Sequence, residues 1–214
     1  RWPTAGTSSC AAPTQHSLKT KMNPFKPTPS QTVGPFFSYG LAPEQYGYDY
    51  KSLASGALLK EDTQGEAITI VGRILSGTGD LMKNVVVESW QANNEGQYSK
   101  IIDKDTFSGF GRFGTGTDKE NRYILHTIKP GRVDSEQAPH FALTLFSRGL
   151  MHHAYTRLYF SDETEANEKD PLLLQLPSKR RHTLIAQKAQ SDFGAVYQFD
   201  IHMQGDDETV FLEF

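Results

Sequence analysis

The feature that most constrains this chain is a succession of short runs of alternating or β-branched residues, each closed by a turn signal, from Ala67 to the C-terminus. "AITIVGRIL" sets Ile68, Ile70, Gly72 and Ile74 against Thr69, Val71 and Arg73, the two-residue period of a half-buried strand. "VVVESWQA" is β-branched and aromatic and turns at "NNEG", while "RYILHTI" stops at "KPG". "HFALTLF" and "AYTRLYF" flank "SRGLMHH". "HTLIAQKA", "AVYQFDIHM" and "TVFLEF" finish the chain, the first two joined across "QSDFG". In the penultimate run Ala195, Tyr197, Phe199, Ile201 and Met203 alternate with Val196, Gln198, Asp200 and His202. This pattern predicts an all-β fold, a sandwich or barrel with a core of about eight strands. Only "SDETEANEKD", residues 161–170, reads as helical, with Ser161 or Asp162 as its cap. "GFGRFGTG", residues 109–116, reads as a loop, since it lacks the Lys-Ser/Thr ending of a phosphate-binding loop.

The 214 residues, 37% hydrophobic and 11% aromatic, suffice for one substantial domain. That domain is expected over residues 66–214. Ahead of it, residues 23–40 hold Pro24, Pro27, Pro29 and Pro35 with Gly34 and Gly40, which predicts an extended, non-helical arm. Phe25, Phe36, Phe37 and Tyr39 give that arm more aromatic surface than a solvated linker needs. Residues 41–65 are expected to be irregular with a short helix, so 22–65 form an arm and lead-in. Residues 1–21 carry no continuous apolar segment, unlike a secretory signal. They read as a disordered tail or appended extension, with folding beginning near Met22. A net charge of −3 gives no electrostatic footprint for nucleic acid or an anionic membrane. No apolar run approaches the roughly 18 residues that span a bilayer. The single cysteine, Cys10, excludes an intrachain disulfide and a Cys-rich metal site, and a cytoplasmic location is expected.

Seven histidines and nine tyrosines are where chemistry would be sought. Phenolate and imidazole together suit a hard, oxidised metal such as Fe(III). Tyr98 follows the "NNEG" turn, and His126, His140, His152, His153 and His202 are the further candidates. Each has an ordinary reading as well: a histidine on the polar face of a strand, such as His202, is usually a surface residue. Adjacent histidines on a strand face opposite ways, so His152 and His153 could chelate together only from a loop. On the strand of "PHFAL", the partner that a His-x-His pair would place two residues beyond His140 is Ala142. Arg148, between a strand end and a Gly-marked turn, could project a guanidinium matched to carboxylates, or could simply be a solvated turn residue.

Six stretches in order carry a resemblance. They are "TPSQTVGPFF" (28–37), "VESWQANNEGQY" (87–98), "HTIKPGRV" (126–133), "QAPHFALTLFSRGL" (137–150), "TRLYFSDETEANEKDP" (156–171) and "FDIHMQGDDETVFLEF" (199–214). Together they resemble the intradiol ring-cleaving dioxygenases, and within them the α-subunit class of the protocatechuate 3,4-dioxygenases. The resemblance implies a β-sandwich and a related β subunit as partner in αβ protomers that assemble further. It also implies non-haem Fe(III) held by two tyrosines and two histidines of that β chain.

Carried over position by position, Tyr98 matches the first tyrosine and His140 the first histidine, while Val133 and Ala142 stand where the second of each would be. Valine and alanine offer no donor atom, so the resemblance implies a relict site without metal in this chain. It further implies that Thr32, Gly34, Pro35 and Arg148 shape the partner's site, where 3,4-dihydroxybenzoate meets O2. Two other readings stand beside this one. One is a self-sufficient dioxygenase using Tyr98, His140 and a histidine of the 152–153 pair; the other is a non-catalytic structural or binding subunit.

Overall fold

The computed structural model of the chain describes residues 28–61, 63–100, 106–192 and 194–213. The tail over 1–21, the start at Met22, and Pro24, Phe25 and Pro27 lie outside them. Among the described residues there are ten strands: β1 (Ala67–Gly72), β2 (Ile74–Leu75), β3 (Val85–Gln91), β4 (Phe110–Gly114), β5 (Tyr123–Ile128), β6 (His140–Ser147), β7 (Ala154–Phe160), β8 (Ile185–Ala189), β9 (Ala195–Gln198) and β10 (Ile201–His202). Eight of them run in the order β4-β3-β6-β7-β8-β9-β1-β5, and β10 pairs β2.

The eight-stranded ribbon folds on itself. Its halves, β4-β3-β6-β7 and β8-β9-β1-β5, are joined by only two parallel pairs, Tyr159 with Ile185 and Phe160 with Ala186. Alternating side chains from both halves, among them Ile68, Ile70, Val85, Val87, Leu143, Leu145 and Tyr197, share one buried cluster. At the ribbon's two ends Phe113 of β4 stacks on Tyr123 of β5, ring centres 5.6 Å apart. This is the expected sandwich: each half is apolar on one face, and the two faces bury each other.

Several elements depart from the sequence reading. The run 109–116 is not a loop, because Phe110–Gly114 pairs antiparallel with β3. Its glycines hide the strand pattern: a Cβ at Gly111 would press on Ser89 and Leu58, and one at Gly114 on Tyr46. The arm is not wholly extended, since Phe37–Leu41 forms the helix α1 two residues after Pro35, where the ring no longer obstructs helical bonding. The helix expected over 161–170 shortens to α2 (Thr164–Asn167), and two further short helices follow it, α3 (Pro171–Gln175) and α4 (Ser178–Arg181). Neither Ser161 nor Asp162 caps α2; Asp162 accepts hydrogen bonds from Lys188 and Tyr197, and the residue that caps a helix is Asp170, at α3. The expected last strand reduces to a single bridge between Leu212 and Tyr155, and His182–Leu184 is a 3-10 turn before β8. The run 195–203 divides into β9 and β10 at Phe199–Asp200, yet both keep one register along β1 and β2. No helix among the described residues is long and apolar enough to cross a membrane.

Candidate functional site

The strand β6 joins two places of interest. At its start, the antiparallel ladders put Trp90 of β3, Ala142 of β6 and Arg157 of β7 in one row on the outer face. The loop after β3 brings Tyr98 over this row, its ring T-shaped against Trp90 with centres 6.2 Å apart. A second loop, carrying Val133, is held against the first by the Gly131 N–H donating to the Asn93 carbonyl (2.8 Å). Gly96 makes the approach possible: its φ is +81°, and a Cβ there would collide with the Arg132 carbonyl. Tyr98 and Val133 therefore stand on abutting loops, while His140 and Ala142 are neighbours on one strand.

His140 is 4% exposed, and its Nδ1 lies 2.8 Å from the Ala138 carbonyl. A carbonyl only accepts, so Nδ1 carries the hydrogen and Nε2 the lone pair. Burial, then the positive charge of Arg157, holds His140 below the ordinary histidine pKa, so it is neutral. Burial raises the Tyr98 phenol, and the Arg157 charge pulls it partly back. The guanidinium thus acts on both surviving donors. It donates to Gln137 Oε1 (3.1 Å) and to the Tyr159 hydroxyl (3.3 Å). Tyr159 donates in turn to Asp170 Oδ1 (3.1 Å), and Asp170 also accepts from the backbone N–H groups of Ala138, Leu172 and Leu173.

These residues do not fit the Fe(III) that the resemblance implies for its β chains. The donor set has two members, with valine and alanine at the other two positions and a permanent cation beside them. Among the described residues no group of three or more His, Cys, Asp or Glu side chains is placed to hold a metal.

At the other end of β6, Arg148 is exposed in the turn to β7. The Gly149 N–H donates to Thr32 Oγ1 at 2.7 Å, which pins the arm to that turn. The two segments line one open cleft of about 610 Å³, with Thr32, Gly34 and Pro35 on one wall and Arg148 on the other. Gly34 is unusual there, because its φ is not in the left-handed region and a Cβ would meet nothing within 4 Å. Nothing among the described residues requires a glycine at that position.

The other candidate histidines do not join the start of β6. His140 pairs with Tyr159 at one end of the β6–β7 ladder, whereas His152 and His153 precede Ala154, which pairs with Leu145. The separation is roughly 16 Å at the usual strand rise. The ligand set of Tyr98, His140 and a histidine of the 152–153 pair is therefore not assembled. His153 instead hydrogen-bonds the Tyr155 hydroxyl. His126 is exposed beside Thr69. His202 lines a separate cleft with His182, Asp200 and Asp207. The residues missed from sequence are Arg157, Gln137, Tyr159 and Asp170. For Arg157, a long cation on the polar face of "AYTRLYF" was visible, but its station opposite Ala142 needs the cross-strand register.

A protein-family model described as "Dioxygenase" matches residues 50–205. The protocatechuate 3,4-dioxygenase alpha chain of Burkholderia cepacia is 45% identical, over 90% of this chain and 100% of that one. The protocatechuate 3,4-dioxygenase beta chain of the same organism is 31% identical, over 73% of this chain and 72% of that one. Among solved structures, the dioxygenase domain of a carbohydrate-binding fusion protein from Streptomyces sp. SirexAA-E matches with a TM-score of 0.57. Its 23% identity, over 86% of this chain and 100% of that one, makes it a likeness of fold.

Proposed function

Because the chain belongs to the intradiol ring-cleaving dioxygenase family, we propose that it is the α subunit of a heteromeric protocatechuate 3,4-dioxygenase. The enzyme cleaves 3,4-dihydroxybenzoate with O2 to 3-carboxy-cis,cis-muconate. In this reading the residues 22–65 are an arm and lead-in that reach the partner, the domain over 66–214 is the scaffold, and the complex is cytoplasmic. Non-haem Fe(III) held by the β chain supplies Lewis-acid activation of the catechol.

The contribution of this chain is made by its cleft at the end of β6. The observation that carries the reading is the hydrogen bond from Gly149 to Thr32, which puts the arm and the Arg148 turn on one open surface. There Arg148 presents an exposed planar fork to the carboxylate that distinguishes the substrate from catechol. Pro35 stiffens the arm, and Gly34 leaves room for a flat ring or the partner's backbone, which accounts for a glycine that none of the described residues requires. Tyr98, Val133, His140 and Ala142 are the vacated positions of a metal site and carry no step.

The test is steady-state kinetics of the αβ complex with Arg148→Ala. Losing one charge-assisted contact of about 1.5–3 kcal/mol lowers kcat/KM roughly ten- to a hundred-fold. Unchanged kinetics in an intact complex would refute the role and leave a structural subunit.

A further inference from the structure

The start of β6 is a vacated metal site on the reading above, and it is not an empty one. Three observations single out Arg157. It stands directly opposite Ala142 in the β6–β7 ladder, the position where a second histidine would be. It donates to the hydroxyl of Tyr159 (3.3 Å), whose ring lies against that of His140 with centres 5.7 Å apart. Its guanidinium bonds Gln137, whose own amide donates to Asp134 (2.8 Å) in the loop that carries Val133.

We propose that Arg157 is a built-in cation that has taken over the place of the metal ion. It excludes a metal from this site and ties the 134–137 loop to the sheet as metal–ligand bonds would otherwise do. The chemistry follows from the group. A guanidinium has no lone pair to donate and does not deprotonate in proteins, so it cannot become a ligand and it repels a metal cation. It also offers directed N–H donors, which Gln137 Oε1 and the Tyr159 hydroxyl accept, Tyr159 donating in turn to Asp170. Loss of donors at Val133 and Ala142 is then only half of the change that removed the metal; the cation is the other half.

The consequence is that restoring the donors alone does not restore binding. The full chain carrying Val133→Tyr and Ala142→His regains two tyrosines and two histidines. With Arg157 retained, exposure to Fe(III) leaves it colourless and without bound iron. Adding Arg157→Gln gives bound iron and a visible tyrosinate-to-Fe(III) band, with affinity at least about tenfold higher. Adding Arg157→Lys instead keeps the charge and gives no such gain. Equal iron loading with and without Arg157, loading of the Lys variant to the level of the Gln variant, or no iron in any variant would each overturn the proposal. Should Val133→Tyr disturb its loop, Ala142→His with and without Arg157→Gln poses the same question to Co(II). Tighter Co(II) binding only in the Gln variant is expected, and equal binding would contradict the proposal. None of these outcomes bears on Arg148, whose kinetics test the assignment of function separately.

Discussion

The two ends of β6 are built to opposite plans. At the start of the strand, His140 is buried and Arg157, Gln137, Tyr159 and Asp170 form one closed chain of hydrogen bonds. At its far end Arg148 is exposed and faces an arm held to the turn by one bond to Thr32. The first end ties Arg157, Tyr159 and Asp170 to one another and to its own backbone. The second leaves a cation and a bare glycine facing an open cleft. On the function proposed above, one strand holds both a vacated end that serves as framework and an outward-facing end that lends groups to a partner.

The largest effect that would sharpen this contrast is on the closed end. Asp170→Ala leaves three backbone N–H groups and the Tyr159 hydroxyl without their acceptor, and should cost about 3–4 kcal/mol in denaturant unfolding. A loss below 1 kcal/mol would mean that this end is not held by its polar chain. Next in size is Arg148→Ala, with its fall in kcat/KM but no change in melting temperature. A large drop in stability there would erase the distinction between the ends. Thr32→Val removes the acceptor for Gly149 and should lower kcat/KM about fivefold, as the loss of one neutral hydrogen bond of roughly 1 kcal/mol implies. Wild-type kinetics would show that the arm is held by other means.

The smallest effect is a pH control on the framework. Burial alone would raise the Asp162 carboxyl, but Lys188, Tyr197 and Lys129 overcome it and hold the group at about 2, against an ordinary 3.8. A depressed carboxylate stabilises the fold fully above its unfolded value, and that contribution is lost as pH falls from about 4 toward 2. Asp162→Asn should flatten the acid limb of the stability profile in that window. An unchanged limb would show that other carboxylates dominate it.

The strands were legible because one face of each is buried, so the period of two is written in residues such as Ile68 and Ile70 or Leu143 and Leu145. β4 was not, because Gly111 and Gly114 stand where neighbouring side chains leave no room for a Cβ and so erase the alternation. One-turn helices such as α1 and α2 are shorter than any periodic signal. At the closed end, a missing donor can be read from a single position, as at Ala142. A replacing group cannot: Arg157 acquires its meaning only from the pairing of two strands. At the open end, the sequence showed an arm and a turn arginine, and the bond between Thr32 and Gly149 that joins them spans more than half of the chain.

The most direct test of the central claim is iron content and protocatechuate-dependent oxygen uptake, measured on this chain alone and on its complex with the β partner. The account predicts iron and uptake in the complex, and neither in the isolated chain. A coloured chain that consumes oxygen by itself would contradict it.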